Sequence, residues 1–395
     1  MAESSGTESI FAAATFLLFG AATIKLLAFT RVPYSVLLLL WGLAIGLGQS
    51  TCTKNWHRLE AGFALWQGLD PGFLFLLLAP PVLFHAAGSL PKARLSHSAC
   101  HIILLGIVGV GTGAAMTAVI MRYMFPYGWS WPQSFLFGAI VAATDPVAAV
   151  SLLKQVHASE ELTTVIDGEA LVDDGVAAVL YAIFLKSVQG SPESASGCSN
   201  ILATVTLGMS MALFGWSMLH KDLQDPVTVC WEVIEYFANT LIFVISGVII
   251  AGRIYAGHQA GSPHILTGID YAWAVALWLL LLVVRVINII LFWPILARTG
   301  PGLDLPSAAA TAWSGIRGFV GLILALMVSV DTDIQDEPYK LLCLFFMATT
   351  ACLTIILQGG IFELVLWGLG LVKPALPETN VQQGQQTSSL AAATA

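Results

Sequence analysis

The chain has 395 residues, of which 57% are hydrophobic and only 10% charged, with a mean hydropathy of +0.82. Soluble domains carry about 25% charged residues, so this is a membrane protein whose many spans must satisfy their own backbone as helices. The net charge of −8 includes no basic block of the kind that binds nucleic acid or a lipid surface.

Apolar stretches near the ~20 residues that cross hydrocarbon predict eleven spans, the second and third short: Ser9–Phe29, Pro33–Gly48, Pro71–Ala87, Ser98–Met121, Pro132–Leu153, Leu162–Val188, Leu202–Met218, Trp231–Arg253, Tyr271–Leu296, Pro306–Val330 and Tyr339–Val372. The last reads as either a helix pair or one long tilted helix. Glu3 and Glu8 precede the first span without any basic residue, which argues against a cleaved signal peptide. Residues 1–373 form the expected membrane transport domain. Pro374–Ala395 is a polar Gln, Ser and Ala tail with a disordered composition.

Loop basic residues favour an outer N-terminus and a cytoplasmic C-terminus by seven to five. The expected inner set is Arg31, Lys92, Arg94, Lys154, Lys221, Arg298 and Lys373. Six cysteines show no CxxC pair or metal-ligand spacing and read as small packing residues. The eight histidines are scattered, mostly in loops, with no second ligand beside any; His85 lies near a span end and could titrate.

The chemistry concentrates between Ala142 and Lys186. Thr144-Asp145-Pro146 interrupts the fifth span, where proline removes a backbone donor and clashes with the preceding turn. Breaks of this kind build midplane ion sites in transporters. The sixth span holds Asp167, Glu169, Asp173 and Asp174. Each acid at bilayer depth costs ~2.5–3.5 kcal/mol against lipid, so the deep ones must face protein or water. Glu169 and Asp173 are i and i+4 and share a helix face, with Asp174 one step round above Ala170; Val172, Val176, Val179 and Ile183 make the other side. Asp167 reads as a helix-end acid near the membrane surface.

Ser314-Gly315-Ile316-Arg317-Gly318 in the tenth span buries an always-charged guanidinium between glycines that permit unwinding. Arg317 reads as a counter-charge to the acids of the sixth span. Arg285 and Glu363 read as paired or snorkelling residues without an assigned role. Asn239 and Ser246 read as contacts between helices.

The ATDPVA segment, the GE-x-L-x-x-D block and the SGIRG segment together resemble the monovalent cation:proton antiporters, most closely the plant and algal plasma-membrane sodium/proton exchangers of the salt-overly-sensitive type. Arg31-Val32-Pro33-Tyr34, Ala238–Phe243 and Trp313-Ser314-Gly315 extend the likeness over Leu17 to Lys373. The resemblance implies an all-α inverted-repeat fold with two broken helices, and a core that moves against a dimerising scaffold. It also implies a homodimer in the lipid bilayer of the plasma membrane. No cofactor, enzymatic activity or nucleic acid is implied, and the cargo is Na⁺ (K⁺ or Li⁺ being the alternatives) and H⁺. It makes Asp174 the Na⁺-binding aspartate, Thr144 and Asp145 the unwound motif that flanks the ion, and Glu169 a site-shaping residue paired with Arg317. Exchange then follows from proton and cation competing for one carboxylate.

Three departures stand out. Asp173 occupies a position that is usually Asn, and paired aspartates there often accompany electrogenic exchange, with two protons per cation and two coupled acids. Ala170 occupies a position that is usually Ser, which removes a ligand oxygen. After the sixth span, Ser187–Asn200 leads straight into LATVTLGMSMALFGW, as though a linker helix and a scaffold helix were missing. That shortening raises an alternative: a transport-incompetent short form or regulatory dimer partner of a full-length exchanger. An intramembrane aspartyl protease would also pair buried acids, here Asp145 and Asp174. The chain lacks the Gly-x-Gly-Asp string of that family, and Arg317 would disturb a shared-proton dyad. An ion channel would need a filter-like repeat, and none occurs.

Overall fold

The structure is a computed structural model that describes residues 34–51, 70–145, 158–190, 206–215, 221–259, 267–300 and 302–372, with a few isolated positions between them. All secondary structure among the described residues is helical. The elements are α1 (Tyr34–Thr51), α2 (Pro71–Gly88), α3 (Lys92–Tyr123), α4 (Trp131–Ala142), α5 (Glu160–Gln189), α6 (Lys221–Gln259), α7 (Gly268–Leu296), α8 (Leu305–Trp313), α9 (Phe319–Val330) and α10 (Glu337–Gly368). Among the described residues, five helical stretches are long and apolar enough to cross a membrane, within α2, α3, α6, α7 and α10. At 30 residues α5 is also long enough, but its acids keep it out of the purely apolar set.

Most predicted spans hold, with altered ends. The predicted Ser98–Met121 lies inside the longer α3, and Trp231–Arg253 lies inside the 39-residue α6. Tyr339–Val372 is one continuous helix with a π-turn at Thr354–Gly359, not a pair. The predicted Pro132–Leu153 and Pro306–Val330 are both interrupted. Ser9–Phe29 lies largely outside the described residues, as does the Pro374–Ala395 tail; of Leu202–Met218, residues 206–215 are described and are helical, ending in a π-turn at Met211–Gly215, so the described residues do not fix the expected total of eleven.

Helix starts follow local sequence chemistry. Ser130 and Gln133 form a reciprocal capping box at the head of α4. The Ser159 hydroxyl accepts from the Leu162 amide at 3.2 Å to cap α5, and Glu160 and Glu161 sit in its first turn, where the helix dipole favours acids. Asp304 caps α8 and Asp336 caps α10, each followed by proline within the first turn.

The tightest helix pair among the described elements is α1 against α6. A Cβ on Gly42 would collide with the Val244 carbonyl, and one on Gly247 would come within 2.8 Å of the Leu43 amide nitrogen. Small residues let the two backbones touch, which is how helices associate in lipid without a hydrophobic drive. The Tyr34 and Thr240 hydroxyls, 2.7 Å apart, add a polar tie across this contact. At one end of the bundle, Phe125, Trp129, Phe137, Tyr339 and Phe346 pack edge-on around the start of α10. The Tyr127 hydroxyl beside them donates to Asp270 at 2.5 Å; burial, reinforced by that acid, holds its proton above the usual tyrosine range.

Candidate ion-binding site

Two helices break, and the breaks meet. α4 ends at Ala142; Ala143 then turns to extended geometry (φ −56°, ψ 131°), as expected where a continued helix would set the Pro146 ring against the Ala142 carbonyl four residues back. α8 ends at Trp313 and α9 begins only at Phe319, which leaves Ser314–Gly318 outside helix. The Asp145 amide donates to the Ile316 carbonyl at 2.8 Å, tying one break to the other. A side chain on Gly318 would run into the Asp145 Cβ, so glycine there is a condition of the crossing.

The crossing lies against α5, which carries Glu169, Asp173 and Asp174 at 1–2% exposure; Asp145 is equally buried. Thr144 Oγ1 donates to Asp173 Oδ2 at 2.9 Å. Asp145 and Asp173 are the acids close enough to act on Asp174 electrostatically. Oδ1 of Asp173 and Oδ1 of Asp174 have no hydrogen-bond partner among the described residues. Buried carboxylate oxygens are normally satisfied, so these two are available to a proton or a cation. The structure thus gathers Thr144, Asp145, Asp173 and Asp174 as neighbours, although the first two lie about 30 residues from the others.

The expected Glu169–Arg317 pair is corrected. Glu169 Oε1 lies 2.6 Å from Nη1 of Arg285 on α7. Arg317 instead donates through Nη1 to the Ala142 carbonyl at 3.0 Å. That carbonyl belongs to the last turn of α4, where acceptors lack helical partners and the dipole favours a cation. Arg317 therefore caps one broken helix while its own backbone forms the other break. Asp173 and Glu169 still attract it at longer range.

Sequence reasoning also missed the support given by α10. The Arg317 amide donates to Thr354 Oγ1 at 3.1 Å. Trp313 Nε1 donates to the Gln358 carbonyl at 2.9 Å, and the Gln358 amide group donates back to the Trp313 carbonyl. Thr354 and Gln358 sit on the π-turn of α10, a deformation common at functional sites but without a sequence signature here. A cavity of about 30 Å³ between α3, α7 and the crossing is lined by Asp173, Arg285, Arg317, Thr117 and Asn288. Asn288 Nδ2 donates to the Gly109 carbonyl at 3.1 Å in the π-turn of α3.

Comparison with known proteins decides the family. The family model described as "Sodium/hydrogen exchanger, transmembrane" matches residues 13–197 and 193–368. The chain belongs to the sodium/hydrogen exchanger family. It is 30% identical over 424 residues to sodium/hydrogen exchanger 7 of Arabidopsis thaliana, covering 92% of this chain and 37% of that protein. With sodium/hydrogen exchanger 8 of the same plant it shares 29% over 423 residues, covering 92% and 55%. The chain thus spans between a third and about half the length of these exchangers. The sodium proton antiporter MjNhaP1 from Methanocaldococcus jannaschii, solved at pH 8, shares the fold with a TM-score of 0.71 at 15% identity, covering 92% of this chain and 99% of that one. The predicted family and its all-helical antiporter fold are thereby established for this exchanger homologue.

Proposed function

We propose that this chain is the membrane transport domain of a secondary active antiporter that exchanges Na⁺ for H⁺, with K⁺ and Li⁺ as the competing cations to test. One observation carries the reading: two helix breaks tied by the Asp145–Ile316 hydrogen bond, set against the face of α5 that holds Asp173 and Asp174. Broken helices bring backbone dipoles and carboxylates to one point without lipid exposure. Asp174 carries the exchanged ion or proton. Asp145 and Thr144 frame it, and Asp173 holds Thr144 in place.

Charge accounting refines the expected mechanism. Glu169 is neutralised by Arg285, which leaves Arg317 to offset Asp173. The carboxylates of Asp145 and Asp174 then share the charge change. A cation and a proton cannot occupy the Asp174 oxygens together, so neutralisation by one or the other gates the movement of the core. One proton per cation is the count if Asp174 titrates alone, and two if Asp173 titrates with it; the reversal potential of sodium-driven proton flux distinguishes them.

In this reading residues 1–373 span a plasma membrane as a homodimer, N-terminus outside, with 374–395 a cytoplasmic tail. We also read the chain as two helices shorter than its relatives. The 424-residue alignment exceeds the 395 residues of the chain, and the two family matches meet at 193–197, where the shortening was expected. The deciding experiment reconstitutes the purified chain in vesicles and follows sodium-driven pH change. Wild type exchanges and Asp174→Asn falls to background; undiminished exchange in that variant sinks the assignment.

A further inference from the structure

A second, larger cavity lies outside the crossing. Its volume is about 500 Å³, and it reaches the surface between the α2–α3 turn and the first two turns of α5. Its charged lining consists of Arg94, Lys154, Glu160 and Asp167. Arg94 and Glu160 neutralise each other in an ion pair at the mouth. The Thr163 and Thr164 hydroxyls are turned back onto their own helix, donating to the Ser159 and Glu160 carbonyls. On α6, Glu235 lies near enough to act on Asp167 but is held by His85 at 2.6 Å. Asp167 differs from these acids: among the described residues no cation sits within ion-pair distance of it, and Lys154 attracts it only at longer range.

Register connects this acid to the exchange site. Asp167 and Asp174 are seven residues apart on an unbroken helix. Seven residues turn 700°, so the two share a face about 10 Å apart along the axis. Ala170 and Leu171 are the rungs between them. The open cavity therefore ends at a partly exposed carboxylate two helical turns from Asp174, on the same side of the same helix.

We infer that Asp167 is an entry site for the transported monovalent cation, with the Lys154 ammonium a nearby positive charge that weakens its hold on the arriving ion. With Arg94 and Glu160 paired to each other, Asp167 is the acid of this lining left to attract a cation arriving through the open cavity. The held ion is then about 10 Å along the helix from Asp174, with buried Ala170 and Leu171 between them. This inference rests on the reading of Asp174 as the exchange site and adds a specificity-determining residue to it.

The test measures sodium-driven proton flux in reconstituted vesicles against sodium concentration. Asp167→Asn is expected to raise the sodium KM by roughly two- to fivefold, the scale of the net worth of one solvent-screened charge pair, and the effect falls on KM rather than on the turnover number. Asp167→Glu restores the affinity. Lys154→Gln lowers the KM, and that gain disappears in the Asp167→Asn/Lys154→Gln double variant. An unchanged KM in Asp167→Asn, or a Lys154→Gln gain that survives in the double variant, overturns the inference. Complete loss of exchange in Asp167→Asn that Asp167→Glu fails to restore also overturns it, because Asp167 would then belong to the exchange site itself. Exchange persisting in Asp174→Asn overturns the site reading instead, so the two failures are distinguishable.

Discussion

The contact of α1 with α6 and the crossing of the two broken helices solve opposite problems with similar residues. Both rely on glycine to bring backbones together. At α1–α6 the helices stay intact through the contact, so the backbone there is bonded within each helix and the meeting of Gly42 with Gly247 is dry packing. At the crossing the helices open, and freed groups are satisfied by Arg317, Thr354, Gln358 and the Asp145 amide, with the acids of α5 packed alongside. Close packing alone holds helices together in lipid. Breaking them needs a surrounding set of charges and hydrogen bonds, and that set is also what can hold an ion.

The largest effect that tests this contrast comes from the ion pair. Removing one partner of a buried pair strands the other charge, at about 3–5 kcal/mol. Arg285→Met is therefore expected to lower thermal stability strongly, and Glu169→Gln/Arg285→Met to recover much of the loss. Arg317→Met should cost less and show little coupling to Glu169 in a double-mutant cycle. Coupling of Glu169 to Arg317 that exceeds its coupling to Arg285 would reverse the pairing seen here.

A smaller effect is expected at the dry contact. Gly247→Val puts side-chain atoms against the α1 backbone near Leu39 and Leu43, an overpacking that costs about 1–3 kcal/mol. The melting temperature should drop while the sodium KM stays as in wild type. A shifted KM would mean that the α1–α6 contact belongs to the moving machinery.

The smallest concerns Ala170, which is 4% exposed on the face between Asp167 and Asp174. Ala170→Ser adds one hydroxyl beside the proposed ion path, worth about 0.5–1.5 kcal/mol as a single interaction. The sodium KM should fall several-fold. An unaltered KM would show that the cation completes its shell without a ligand at this position.

Much of the site is legible in the sequence. Asp145, Asp173, Asp174 and Glu169 announce themselves because acids are expensive in apolar segments, and Pro146 and the glycines around Arg317 mark the breaks. The partner of Glu169 is not legible there. Arg285 and Arg317 are both buried cations in apolar helices, and nothing local separates a guanidinium that meets a carboxylate from one that caps a helix end. The support from Thr354 and Gln358 is equally hidden, since a π-turn arises from packing rather than from composition.

By itself the sequence determined that the chain spans a membrane, which helices open and which acids lie inside, because insertion costs and proline geometry act on each segment separately. Only the tertiary structure decided that Asp145 meets Ile316, that Arg285 answers Glu169, and that Asp167 ends an open cavity on the face of Asp174. Those outcomes depend on the distance between helices far apart in the chain, and a segment's own residues do not encode which neighbour packing will bring to it.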